Sequence, residues 1–204
     1  MQEVCMSNPM IDMDIIFEGV YQKLISPDFG QNLGGELPLF IQQIPVSKQS
    51  ELKYQANRLV SRLAKQGKKA IVIDLFCLSI KILDEEGVLQ TLLEEEKKLD
   101  SDTILSTLDS ILDIKEVVIP RINNIIKDNE LDFVLITGVG RVYPFLRSHS
   151  ILNNIEGIAN RCNIILFFPG NYNNFQLSLF GIISDENYYR GHNLSDIKCS
   201  YDNI

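Results

Sequence analysis

The sequence predicts an α/β protein, a three-layer sandwich whose central sheet of about five strands is mostly parallel. Three observations carry that expectation. A strand, a helix and a second strand follow one another between residues 37 and 76, which is the βαβ signature. The segments AIVIDLF, DFVLI and NIILFFPG are almost continuously apolar, as in strands covered by helices on both faces. Between them lie segments whose apolar residues recur at helical spacing.

In chain order, Ile11, Ile15, Ile16, Val20 and Leu24 share one helical face, and Pro27 stands near its end. FGQNLGGELP reads as a glycine-rich loop. LPLFIQQIP, residues 37–45, is a short strand with prolines where strand ends tolerate them. A helix follows, capped by Ser47 or Ser50, with Leu52, Ala56, Leu59, Val60 and Leu63 on its apolar face and Gly67 as its stop. Residues 70–76 form the next strand. The segment at about 78–130 is helical and acidic, with breaks near Gly87 and Ser101. Within it, IKEVVIPRINNIIKDN reads either as one helix with a kink around Pro120 or as a short strand and then a helix. The helix is preferred because Ile122, Ile125 and Ile126 resume the same face. LDFVLITGVG is a core strand, and a helix is expected from Tyr143 with Pro144 in its first turn. NIILFFPG, residues 163–170, is the next strand. QLSLFGII reads as another, and SDENYYRGHNL as a closing loop with a short edge strand.

The whole chain, residues 1–204, reads as one domain. At that length it buries roughly 70% of its extended surface, so its core needs no disulfide or metal. The four cysteines are scattered without zinc-site spacing, and Cys77 and Cys162 read as small buried hydrophobes. No apolar run reaches the ~20 residues that span a bilayer, and the first residues carry acids where a signal peptide has bases, so a cytoplasmic location is expected with no membrane contact. Net charge −8 disfavours direct nucleic-acid binding, since a phosphate backbone rewards cationic surfaces.

Function is harder to read. Nothing matches GxxxxGK[ST], and TGVGR lacks the third glycine and the distant acid of a dinucleotide fingerprint. No GxSxG elbow, paired carboxylates or metal set suggests catalysis, so a non-enzymatic protein without cofactor or metal is expected. Ligands of parallel α/β sheets gather at the carboxyl ends of strands, here Asp74, TGVGR and PGNYN. A groove of Thr137, Gly138, Gly140, Arg141 and Tyr172 is expected there. It leaves open an alternative, a nucleotide-responsive or hydrolytic site at residues 137–141. Gly138 and Gly140 read first as a sharp turn that needs positive φ. His149 reads as a structural, hydrogen-bonded histidine. Tyr143, Arg147, Tyr188, Tyr189 and Arg190 combine the residue types that dominate binding hot spots and form the candidate docking surface.

The motifs LITGVGRVYPFLRSHSILNNI, ILFFPGNYN and LSLFGIISDENYYRGHNL, in this order, resemble the BrxB-like family of small proteins from bacteriophage exclusion (BREX) defence systems. The resemblance implies an α/β fold similar to ATPase cores but without their phosphate-binding loop. It also implies an accessory role, that of an adaptor which positions a larger enzyme component. The partners it implies are the large alkaline-phosphatase-like component of such systems, their ATPase or their DNA methyltransferase. It assigns no catalytic residues.

Overall fold

The structure is a computed structural model and describes residues 12–31, 33–155, 158, 161–173, 176–184 and 191–198. Five parallel strands run in the order β2-β3-β4-β1-β7: β1 is Leu39–Ile44, β2 Ala70–Asp74, β3 Phe133–Thr137, β4 Asn163–Tyr172 and β7 His192–Asn193. β4 continues into an antiparallel extension with β5 (Leu177–Leu179), which pairs in turn with β6 (Ile183–Ser184). The mostly parallel sheet is therefore present, with seven strands among the described residues.

Side chains alternate across the sheet and sort the helices into two layers. Phe40 and Ile44 of β1, Phe133 and Leu135 of β3, and Ile165 and Phe167 of β4 face one side. There they meet α1 (Met13–Ile25) and α2 (Gln49–Lys65) through Phe17, Leu24, Leu59 and Leu63. Ile41, Val134, Ile136, Ile164, Leu166 and Phe168 face the other side, toward α3 (Leu75–Glu85) and α6 (Ile119–Lys127). Between α3 and α6 lie α4 (Leu89–Glu95), α5 (Ser101–Ile111) and a π-helical turn, Ile114–Val118. The breaks fall near Gly87 and Ser101 as expected, and the helix preferred over a strand at residues 114–127 is present.

Several boundaries depart from expectation, each for a physical reason. Neither Ser47 nor Ser50 caps α2. A 3₁₀ turn, Val46–Lys48, leads into the helix and puts Lys48, whose side chain caps no backbone N–H, in the cap position. β2 ends at Asp74 rather than residue 76, because the Asp74 carboxylate accepts the Cys77 N–H (3.0 Å) and starts α3 at once. β2 is also less covered than its apolar text suggests. Only Ile73 is fully buried, for β2 pairs with β3 alone and forms the sheet edge.

No helix starts at Tyr143. A single turn, α7 (Val139–Val142), comes first; Tyr143 is extended, the conformation proline favours in the residue before it, and α8 (Ser148–Asn154) begins only after Arg147. QLSLFGII is not one strand, since Phe180 and Gly181 both adopt positive φ and split it into β5 and β6. Cys77 is exposed, because α3 buries Leu75, Ser79, Ile82 and Leu83, a stripe that leaves position 77 outside. Cys162 is buried, and burial pushes its thiol up to about 11, so it stays protonated at neutral pH. Among the described residues no helix is long and apolar enough to cross a membrane.

Candidate functional site

The carboxyl ends of β2, β3 and β4 meet the start of α2 around a crevice of about 230 Å³. α2 leaves over one face of the sheet and α3 and α7 over the other, so the chain parts there and opens a gap. Gln49, Ser50 and Lys53 form one wall, Thr137 to Arg141 the other, with Asp74 and Pro169 beside them. The expected groove at Thr137, Gly138, Gly140 and Arg141 thus exists as a place.

Its chemistry centres on Asp74. The carboxylate accepts the Cys77 N–H, the Thr137 hydroxyl (3.0 Å) and the Arg141 guanidinium. Thr137 is fully buried, so without that acceptor its hydroxyl would lose its partner. Arg141 also lies over the Phe76 ring, 5.0 Å from its centroid. Arg141 is therefore held by a carboxylate of its own chain at the edge of the gap, and Asp74, marked in the sequence only as a strand end, is the centre of the site. The available signal was its position between an apolar strand and an apolar helical stripe, where an Asp caps.

The two glycines differ. Gly138 has φ +85°, and a Cβ there would lie 3.0 Å from the Asp74 carboxylate and 3.1 Å from the Phe76 amide nitrogen. That is the expected turn. Gly140 has no positive φ and sits inside α7. It is small because a Cβ would meet the Gln49 side chain at 2.7 Å and the Phe180 ring at 2.8 Å. Close approach, not backbone freedom, requires that glycine.

Tyr172 is not in the groove. It is buried in the core, donating its hydroxyl to the Gly191 carbonyl (2.6 Å) and its N–H to the Gln43 side chain (3.1 Å). Tyr143 and Arg147 are exposed on the link between α7 and α8, and His149 follows in α8. Arg147 and His149 line a second groove of about 400 Å³, whose other wall is Leu105, Ser106 and Asp109 of α5. Tyr188, Tyr189 and Arg190 lie outside the described residues.

Asp74→Ala is expected to cost about 2–3 kcal/mol: about 1 for the lost cap and 1–2 for the stranded Thr137 hydroxyl. Arg141→Ala should cost under about 1 kcal/mol, since the arginine side chain is 46% exposed and solvent screens the pair. Urea melts of the two variants measure the difference. Equal costs would mean that Asp74 serves only the surface pair.

Among the described residues, no group of three or more His, Cys, Asp or Glu side chains could hold a metal ion. No solved structure matches the chain. Two curated relatives do. A BREX protein BrxB from Bacillus cereus (strain H3081.97) is 33% identical over 87% of this chain and 94% of its own length. A BREX protein BrxB from Escherichia coli O9:H4 (strain HS) is 26% identical over 79% of this chain and 80% of its own length. The family model described as BREX protein BrxB matches residues 71–194, from β2 through the strand-end crevice to the turn after β7. On the family match and on the Bacillus relative, the chain belongs to the BrxB family of accessory proteins from BREX phage-defence systems.

Proposed function

We propose that this protein is a non-catalytic adaptor that binds and positions a larger component of its defence complex, the alkaline-phosphatase-like one in first place, the ATPase or methyltransferase otherwise. The observation that carries the reading is the Asp74 carboxylate. It satisfies Thr137, Arg141 and the α3 cap at the point where a parallel α/β sheet would receive an anionic ligand. A carboxylate already in that position repels a phosphate and holds the nearest guanidinium. What remains open is smaller than the ~300 Å³ at which small-molecule sites begin.

The contact surface in this reading is the exposed link at Tyr143 and Arg147 together with Tyr188, Tyr189 and Arg190. It combines aromatic and guanidinium side chains, the residue types that anchor interfaces. The test is affinity capture of the tagged protein from a host that expresses the whole system, with mass spectrometry and light scattering of the eluate. Recovery of the phosphatase-like component at fixed stoichiometry is expected, reduced at least tenfold by Arg147→Ala with Tyr189→Ala. A lone monomer would overturn the reading.

The crevice itself favours the rival, a nucleotide-responsive site, in one respect: Lys53 and Arg141 both border it. Titration with Mg-ATP distinguishes the two. No change in melting temperature is expected, and a saturable rise abolished by Lys53→Ala would favour the rival.

A further inference from the structure

The crossover from β2 to β3 contains a stretch unlike the rest of the chain. From Asp84 to Ile111, 28 consecutive residues, not one is fully buried. Nine of them are Val, Leu or Ile, a number that would normally supply a core. Leu93 is 61% exposed and Leu99 36%. On α5, Ile104, Leu105, Leu108 and Ile111 recur at helical spacing, yet all four are only half-buried. Leu108 and Ile111 rest on the core below, whereas Leu93, Leu99, Ile104 and Leu105 do not. Leu105 instead forms a wall of the groove that runs from α5 to Pro144, Phe145 and Arg147. Among the described residues, neighbouring helices cover this apolar surface only in part.

The same stretch holds nine carboxylates and two lysines, a net −7 of the whole chain's −8. Few of those carboxylates are neutralised. Glu95 pairs with Lys98 (2.8 Å) and Glu85 with Arg121 (2.5 Å). Glu86, Glu96, Asp102 and Asp109 have no ion-pair partner among the described residues. Unpaired acids interspersed along the same stretch with incompletely covered leucines specify what can cover them. A second copy would set −7 against −7, and nucleic acid or an anionic membrane would be repelled likewise.

We infer that α4 and α5 form a docking surface for a cationic amphipathic segment of a partner protein. Its apolar side chains cover Leu93, Leu99 and Leu105, and its lysines or arginines meet the flanking carboxylates. The inference rests on the adaptor reading and names the chemistry of the partner it needs. The groove beside Arg147 and the α5 surface are continuous through Leu105 and Asp109, so one segment can engage both.

The probe is a 20-residue synthetic peptide with leucines at helical a and d spacing and lysines elsewhere, compared with a scrambled peptide of the same composition. Fluorescence anisotropy with the full-length protein is expected to show saturable binding at least tenfold tighter for the ordered peptide. Raising the salt from low to physiological and above should weaken it. Glu94→Lys, Glu96→Lys and Asp109→Lys together should weaken binding at least tenfold. Leu93→Ser should weaken it severalfold, and Asp128→Lys with Glu130→Lys, at the amino end of β3, should not. All these positions are exposed, so unchanged melting temperatures verify folding. Equal binding of the ordered and scrambled peptides, or indifference to both the triple reversal and Leu93→Ser, overturns the inference. The same triple reversal, carried into affinity capture, separates the two failures. Capture that survives it keeps the adaptor reading and removes this surface, whereas wild-type protein that captures nothing removes the adaptor reading.

Discussion

Replacing Phe167 with alanine is expected to lower the unfolding free energy by about 3–5 kcal/mol. Phe167 is fully buried on β4, the strand between β3 and β1 and the middle of the sheet. Its ring stacks on Phe17 of α1, centroids 5.0 Å apart and planes 11° from parallel. Offset aromatic pairs add about 0.5–1.5 kcal/mol beyond the area they bury. The void cannot close by backbone movement, since β4 is tied to β1 in register from Leu39–Ile164 to Ile44–Pro169. For a chain of this length, each kcal/mol shifts the melting temperature by roughly 2–4 °C, so a fall of roughly 10 °C is expected. Phe167→Leu keeps most of the volume and should cost less than about 2 kcal/mol. Ile15→Ala, on the exposed side of α1, should cost at most about 0.5 kcal/mol. Thermal and urea melts of the three variants provide the measurement. A Phe167→Ala loss no larger than that of Ile15→Ala would mean that α1 does not pack on β4.

The sequence made the sheet legible where burial leaves a local trace. β3 and β4 are apolar on both faces because α1 and α2 cover one side and α3 and α6 the other, and that continuity is visible in DFVLI and NIILFF. The same logic misread β2. AIVI is as apolar as a central strand, but the connection from β1 through α2 carries the chain past β4 and β3 to the sheet edge. No short window records such a choice, because it depends on which strands form between. Single residues decided the other misreadings. Pro144 ends a helix at Tyr143 rather than opening one, and positive φ at Phe180 divides a run that otherwise reads as continuous strand.

The strand-end site was legible as a location and not as a constellation. TGVGR announced the turn at Gly138, but Asp74 lies 63 residues before Thr137, and only the parallel pairing of β2 with β3 sets Asp74 beside Thr137. Gln49 and Lys53 enter from α2, on the opposite face of the sheet, with no motif to mark them. The docking surface left a different trace. The acidic character of the helical segment at about 78–130 was visible, but the incomplete burial of its leucines is a property of packing alone.

Gly170→Ala tests how β4 leaves the parallel sheet. Up to Pro169 the strand pairs with β1, and from Gly170 it pairs with β5, Gly170 standing opposite Leu179. Proline is tolerated at this junction, where the ladder changes partner and an N–H can be spared. Gly170 has φ +151°, and a Cβ there would lie 2.1 Å from the Ser178 carbonyl oxygen and 2.9 Å from the Phe180 nitrogen. Both are backbone atoms, so no flexible side chain can yield. Alanine must push β5 away from β4, and the bond from the Phe180 N–H to the Pro169 carbonyl (2.9 Å) is the first to lengthen. The Phe180 ring then loses its seat against Gly140, loosening the crevice from the β4 side. Overpacking of about 1–3 kcal/mol and a backbone cost of about 1–3 kcal/mol together give an expected loss of about 3–4 kcal/mol. Gly87→Ala provides a positive-φ comparison without any clash. That glycine has φ +70° in open space, so about 1 kcal/mol is expected. Urea midpoints compare the two, and amide exchange at Phe180 should accelerate in the Gly170 variant alone. Equal losses, with Phe180 still protected, would mean that the β5–β6 hairpin stands off the strand end instead of bracing it.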